Sequence, residues 1–358
     1  MMTENAETAP VASSWSETEL WRKILAFAFC IDAGGVVDIG LRATMSRPER
    51  VEELTGVMGL FAGSPLLRVA LGLIAIGAAV AFSWKPGRVK AALVALVCTG
   101  VNYTFTAEFT GSVPNVLVCT GLCLMAWMAT FVVARLIWRP ADRPADFLIR
   151  VERLAAVAAL AAFGVYFAKA GLSKYLNSGW DWTDGSKIRA LMLMYAYPPD
   201  SLIGGVQEAI LHSATLARVL ATVTLLGQIG GIIFPFTRKG RVLVGTILLG
   251  FEVSVYFLSG IFAPGNIILI LGFSYPWHRL GKRGREADDD RRPLRLPRVP
   301  TARVMGLVLM LAGLVGAVAA SPLAPIQLGS PTTHTSSTSE KTTPHAPPPP
   351  TQLRPTTP

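Results

Sequence analysis

Apolar runs of about 20 residues recur along this chain between short polar connectors, and each is near the length that crosses about 30 Å of bilayer hydrocarbon. Before residue 280 they fall at Trp21–Leu41, Leu66–Trp84, Ala91–Phe109, Val113–Trp138, Val151–Tyr175, Ala217–Phe236, Val242–Gly260 and Phe262–Trp277. One more, Val304–Ala320, follows a basic stretch. The pattern predicts an all-α, polytopic transmembrane helix bundle of about nine spans. The longest connector, residues 176–216, contains an apolar stretch, LIGGVQEAILHSATL, that reads as an interfacial or re-entrant helix. Connectors of this length are uncommon without a task, so this one reads as a cap over a site.

Composition supports the same class. Hydrophobic residues make up 51% and charged residues 16%, with a mean hydropathy of +0.46; soluble domains carry about 25% charged residues. The net charge of +10 does not point to nucleic acid, because the basic residues gather in short connectors. The connectors at 85–90, 135–150, 237–241 and 278–303 are basic and those at 103–112, 176–216 and 259–263 are not. By the positive-inside rule the N-terminus is then inside and the C-terminus outside, in a multi-pass protein of the plasma membrane. The expected domains are a disordered cytoplasmic tail (1–20), a transmembrane domain (21–280), a basic cytoplasmic linker (281–301), a C-terminal transmembrane helix (302–321) and a disordered Pro/Thr-rich extracytoplasmic tail (322–358). No cleavable leader is expected. The four cysteines, Cys30, Cys98, Cys119 and Cys123, lie in or near apolar runs and read as small buried residues.

The candidate chemistry centres on FGVYFAKAGLSKYLNSGWDWTDGSKIR, residues 163–189. A lysine at bilayer depth costs about 2.5–3.5 kcal/mol unless it snorkels or finds a partner. Lys174, near the outer end of its run, reads either as a snorkelling side chain or as a desolvated amine able to act as a base. Lys169 lies about 7.5 Å deeper at the standard helical rise. It is expected to form an ion pair with Glu252 or Asp32. Glu252 and Asp32 stand mid-run, where a carboxyl is held as the acid or bonded to a neighbouring helix. Asp38 and Arg42 are four apart and predict a structural pair on one helical face. Trp180, Trp182, Tyr195 and Tyr197 read as interface belt or ligand contacts. His212 has no histidine near it in sequence, and no zinc spacing, nucleophile triad, P-loop or dinucleotide fingerprint is present, so no metal site is expected.

Tyr166, Ala170-Gly171, Lys174, and Trp182 with Gly185 follow one another in an order that resembles the central motif of the HTTM family, the membrane domain shared with vitamin K-dependent gamma-carboxylase. Arg22 or Lys23, Asp38 to Arg42, and Gly56-Val57 are similar to the family's first span, and the resemblance covers about residues 20–280. It implies a helical membrane fold. It also implies that Lys174 stands where the carboxylase lysine deprotonates the hydroquinone form of vitamin K, with reduced quinone as cofactor or substrate. Family members commonly carry a histidine where Glu252 falls, and no stretch here corresponds to the large lumenal domain of the carboxylase. Three readings follow. The first is a quinone- or lipid-linked membrane enzyme with Lys174 as base and Tyr166, Lys169, Trp180, Trp182 and Glu252 lining the site. The second is a transporter or export helper using Asp32, Lys169 and Glu252 as a polar path. The third is a non-catalytic partner of other membrane proteins.

Overall fold

The structure, a computed structural model, describes residues 16–46, 59, 64–110, 117–138, 146–234, 236–259 and 263–277, with backbone alone at 108–110 and 259. The expectations for Gly56-Val57, the basic linker, the ninth span and both tails beyond these bounds lie outside the described residues. The described elements are helical: α1 (Glu17–Ser46), α2 (Pro65–Trp84), α3 (Val89–Thr110), α4 (Val118–Ile137), α5 (Phe147–Ser178), α6 (Ser186–Met194), α7 (Leu202–His212), α8 (Ala214–Ile229), α9 (Arg238–Ser259) and α10 (Pro264–Ser274). Among the described residues, seven helices are long and apolar enough to cross a membrane. The protein is an integral membrane protein in contact with the lipid bilayer.

Local chemistry sets the helix ends. Ser64 caps α2 through the Leu67 amide, with Pro65 in the first turn, where its missing N–H is harmless. Ser201 caps α7, accepting from the Gly204 N–H at 2.9 Å, and Ser213 caps α8, accepting from Leu216 at 3.1 Å. Ser213 thus splits the apolar stretch expected as one interfacial helix, and α8 starts three residues before Ala217. The connector expected at 176–216 is itself helical: a 3₁₀ turn (Gly179–Asp184) followed by α6 and α7. The first helix begins at Glu17, inside the segment expected to be a tail. The eighth expected span is an 11-residue helix, α10, about 16 Å long.

α1 lies centrally and packs against α2, α3, α4, α5 and α10. In lipid, helix association rests on close packing and interhelical hydrogen bonds rather than on hydrophobic burial. Phe163 of α5 illustrates the packing, meeting Phe167, Phe234 and Phe273 with ring centroids 5.1, 4.9 and 5.7 Å away. Beside it the backbones of Gly164 and Gly231 come so close that a methyl group on either would fall on the other's carbonyl oxygen.

One end of the bundle is basic. There Arg22 of α1 pairs with Glu152 of α5, both nearly fully buried, and its Nε donates to the Ser83 carbonyl at 3.1 Å. Arg241 of α9 lies over the Trp21 ring, and Arg135 of α4 donates to the Gly87 carbonyl. Toward the opposite end Arg68, 1% exposed, donates to the Gly40 carbonyl at 2.8 Å, and Asn102 donates to the Arg68 carbonyl. Cys119 and Cys123 are buried as expected, while Cys30 and Cys98 are only partly so. The Asp38–Arg42 pair forms at 3.0 Å on an exposed face. Asp38→Ala is expected to change stability by less than about 0.5 kcal/mol, checked by the unfolding midpoint of the purified protein.

Candidate functional site

Polar side chains gather inside the bundle in two layers. The inner layer is built around Asp32, midway along α1 and fully buried. Its Oδ2 accepts from Thr120 Oγ1 of α4 at 2.7 Å, and its Oδ1 accepts from the Gly265 N–H at 3.1 Å. Gly265 lies in the first turn of α10, so a carboxyl from another helix supplies the cap that Ala263 cannot. Gly265 is required there, since a Cβ would fall on the Asp32 carboxyl. From this point α10 runs antiparallel to α1, and Phe273 packs edge-on against Trp21 at 5.9 Å. It is a half-helix that starts against the middle of α1. The next residue, Asn266, donates from Nδ2 to Glu252 Oε1 of α9 at 3.0 Å. The Tyr166 hydroxyl lies at the Asn266 amide, with Asp32, Glu252 and Cys119 within electrostatic reach.

The outer layer lies eight residues further along α5, about 12 Å at the helical rise. Lys174 Nζ donates to Gln228 Oε1 of α8 at 2.9 Å and to the Ala170 carbonyl at 3.4 Å. The Trp182 ring centroid is 5.6 Å from the same nitrogen, and Glu252 lies within its electrostatic reach. Gln228 is a neutral acceptor. It takes an N–H from an amine and an ammonium alike, so this contact does not fix the protonation state of Lys174.

The helical cap closes over this layer. Its fastening is the buried amide of Gln207 in α7. Oε1 accepts from the Tyr197 N–H at 2.9 Å, and Nε2 donates to the Tyr195 and Leu258 carbonyls at 2.8 and 2.7 Å. One side chain thereby joins the α6–α7 connector to the end of α9.

Comparison of the chain with protein-family models, with curated proteins and with solved structures finds no match in any of the three.

The structure brings Lys174 and Trp182 together in the outer layer and Tyr166 and Glu252 together in the inner one, with Glu252 within electrostatic reach of Lys174, and separates the other candidates from them. Trp180 is 62% exposed and packs edge-on against Tyr175. Asp38 and Arg42 pair with each other on an exposed stretch of α1. His212 lies on the surface near Glu208. The expected Lys169 ion pair is corrected: its buried Nζ makes no hydrogen bond to any described residue, and neither Glu252 nor Asp32 pairs with it. The reason is geometric. Lys169 and Lys174 are five residues apart, so they point about 140° apart around α5, and both carboxyls already accept hydrogen bonds from neutral donors.

Thr120, Gln228 and Asn266 were not singled out in the sequence. Each is an uncharged polar residue inside an apolar run. A signal was available for Asn266: it follows Pro-Gly, a helix-start pattern placed within a hydrophobic run. The motif glycine, Gly185, has a physical role. It adopts φ +84° where the 3₁₀ turn meets α6, against the backbone of Ala217. Gly185→Ala is expected to destabilise the cap by about 1–3 kcal/mol, seen as a lower unfolding midpoint.

Proposed function

We propose that this protein is an HTTM-type enzyme of the plasma membrane that removes a proton from a quinol or lipid-linked substrate, with Lys174 as the base. The reading rests on one observation: Lys174, half-buried at the outer end of α5, is held between a neutral acceptor, Gln228, and the Trp182 face, beneath a helical cap. In the step assigned to it, the substrate O–H bond breaks, an N–H bond forms on Lys174, and the oxyanion is left beside the resulting ammonium. Trp182 supplies a flat apolar face for a ring, and Glu252 lies within electrostatic reach of the ammonium. With the basic end on the cytoplasmic side, the cap faces outward. The test is reconstitution into liposomes with menaquinol in air-saturated buffer, following its oxidation or epoxidation, together with mass spectrometry of small molecules that copurify. Turnover with a copurified quinone supports the reading; no turnover and no quinone overturns it.

A second reading, transport, is favoured by the half-helix α10. Discontinuous helices that start at mid-depth are a feature of transporter binding sites. Proton or solute flux into liposomes that is lost in Glu252→Gln favours it, and flux unchanged by that substitution counts against it.

A further inference from the structure

The inner layer holds two buried carboxyl groups with no cation in contact among the described residues, and a buried acceptor with no donor. Asp32 and Glu252 are 0% and 7% exposed and come from different helices, yet both lie within electrostatic reach of the same tyrosine, Tyr166. No cation touches either of them among the described residues, and Lys174 reaches Glu252 only through space. The half-positive end of α10 meets Asp32 and offsets part of one charge.

Independently, Asn266 is 4% exposed and its Oδ1 has no hydrogen-bond partner among the described residues. Its Nδ2 is committed to Glu252, so the amide head, with its vacant acceptor, lies at the carboxylate. A buried acceptor without a donor costs about 1–3 kcal/mol, and here it stands beside a buried carboxyl group. Both features call for the same thing: a small positive species that accepts oxygen ligands.

We propose that the inner layer binds a monovalent alkali cation between Glu252 and Asn266 Oδ1, with Tyr166, Asp32 and Thr120 completing an all-oxygen site. The donor chemistry selects the class. Carboxylate, amide and hydroxyl oxygens suit hard cations. Among the described residues no three His, Cys, Asp or Glu side chains gather at one point, so a transition-metal set is not provided. A calcium ion takes six to eight oxygens, often from several carboxylates, whereas both Asp32 oxygens here already accept hydrogen bonds from Thr120 and Gly265.

The experiment is thermal unfolding of the full chain in detergent at constant ionic strength. Choline chloride is replaced stepwise by NaCl, KCl or LiCl, at two pH values either side of neutrality. The expected result is a saturable rise in Tm with at least one alkali cation at both pH values. Asn266→Ala and Glu252→Gln should each weaken half-saturation by on the order of ten-fold or more. Lys174→Ala should leave the cation response intact, which separates this proposal from the base reading. Equal Tm in choline and all three alkali salts overturns it. So does a Tm that moves with pH alone, which would mean that a proton balances the charge. So does an undiminished response in Asn266→Ala. If Glu252→Gln does not fold, binding of radiolabelled Na+ to wild type and Asn266→Ala decides the matter; no binding to wild type overturns the proposal.

Discussion

Replacing Lys174 with alanine is expected to lower quinol turnover by about 10²–10⁴-fold, the contribution of a positioned general base. The loss should appear in kcat, with quinol affinity altered less, because Trp182 remains to hold a ring. Lys174→Arg should not restore activity, since a guanidinium stays protonated and cannot take up the proton. Gln228→Leu should also lower activity, by a smaller factor. It leaves the amine in place but removes the 2.9 Å contact that aims it. The measurement is quinol oxidation in proteoliposomes under saturating substrate. Equal turnover by Lys174→Ala and wild type would sink the base assignment, whatever the behaviour of the inner layer.

The largest effect on stability is expected at the basic end. Arg22→Leu should destabilise the fold by about 3–5 kcal/mol, because it strands a nearly fully buried Glu152 carboxylate. It also leaves the Ser83 carbonyl without its donor. The paired change Arg22→Leu with Glu152→Leu should recover most of the loss, since two apolar side chains can fill the space of a buried ion pair with little penalty. Unfolding in mixed detergent micelles, compared across wild type, single and double variants, measures this. A double variant no more stable than Arg22→Leu alone would show that the guanidinium acts through packing and not through the pair.

The long helices were legible because lipid imposes a length and a polarity on each of them. The Asp38–Arg42 pair was legible because its spacing is local and needs no knowledge of the fold. Asp32 was expected to bond to a neighbouring helix or to stay protonated, and it bonds to two, but its partners could not be named. Thr120 is 88 positions away, and Gln228 is 54 from Lys174. Neutral polar residues leave little trace in hydropathy, so interhelical contacts built from them surface only once the helices are packed. Lys169 was misassigned because charge alone suggested an ion pair, whereas the rotation of α5 turns it away from Lys174 and both carboxyls are already engaged. The shortness of α10 follows from prolines: Pro264 and Pro276 bracket an apolar run that hydropathy reads as continuous. Glu152, a single acid among apolar residues and arginines, gave no sign that it would be paired with Arg22.

The Gln207 amide has a kinetic corollary. Two of its contacts, to Tyr195 and Tyr197, stay within the covering segment, and the third, to the Leu258 carbonyl, reaches α9. The covering helices can therefore part from the tip of α9 by giving up that one hydrogen bond while the connector keeps its own shape. Opening on that side then exchanges a single polar contact, and its frequency bears on the rate of any cycle that requires entry there.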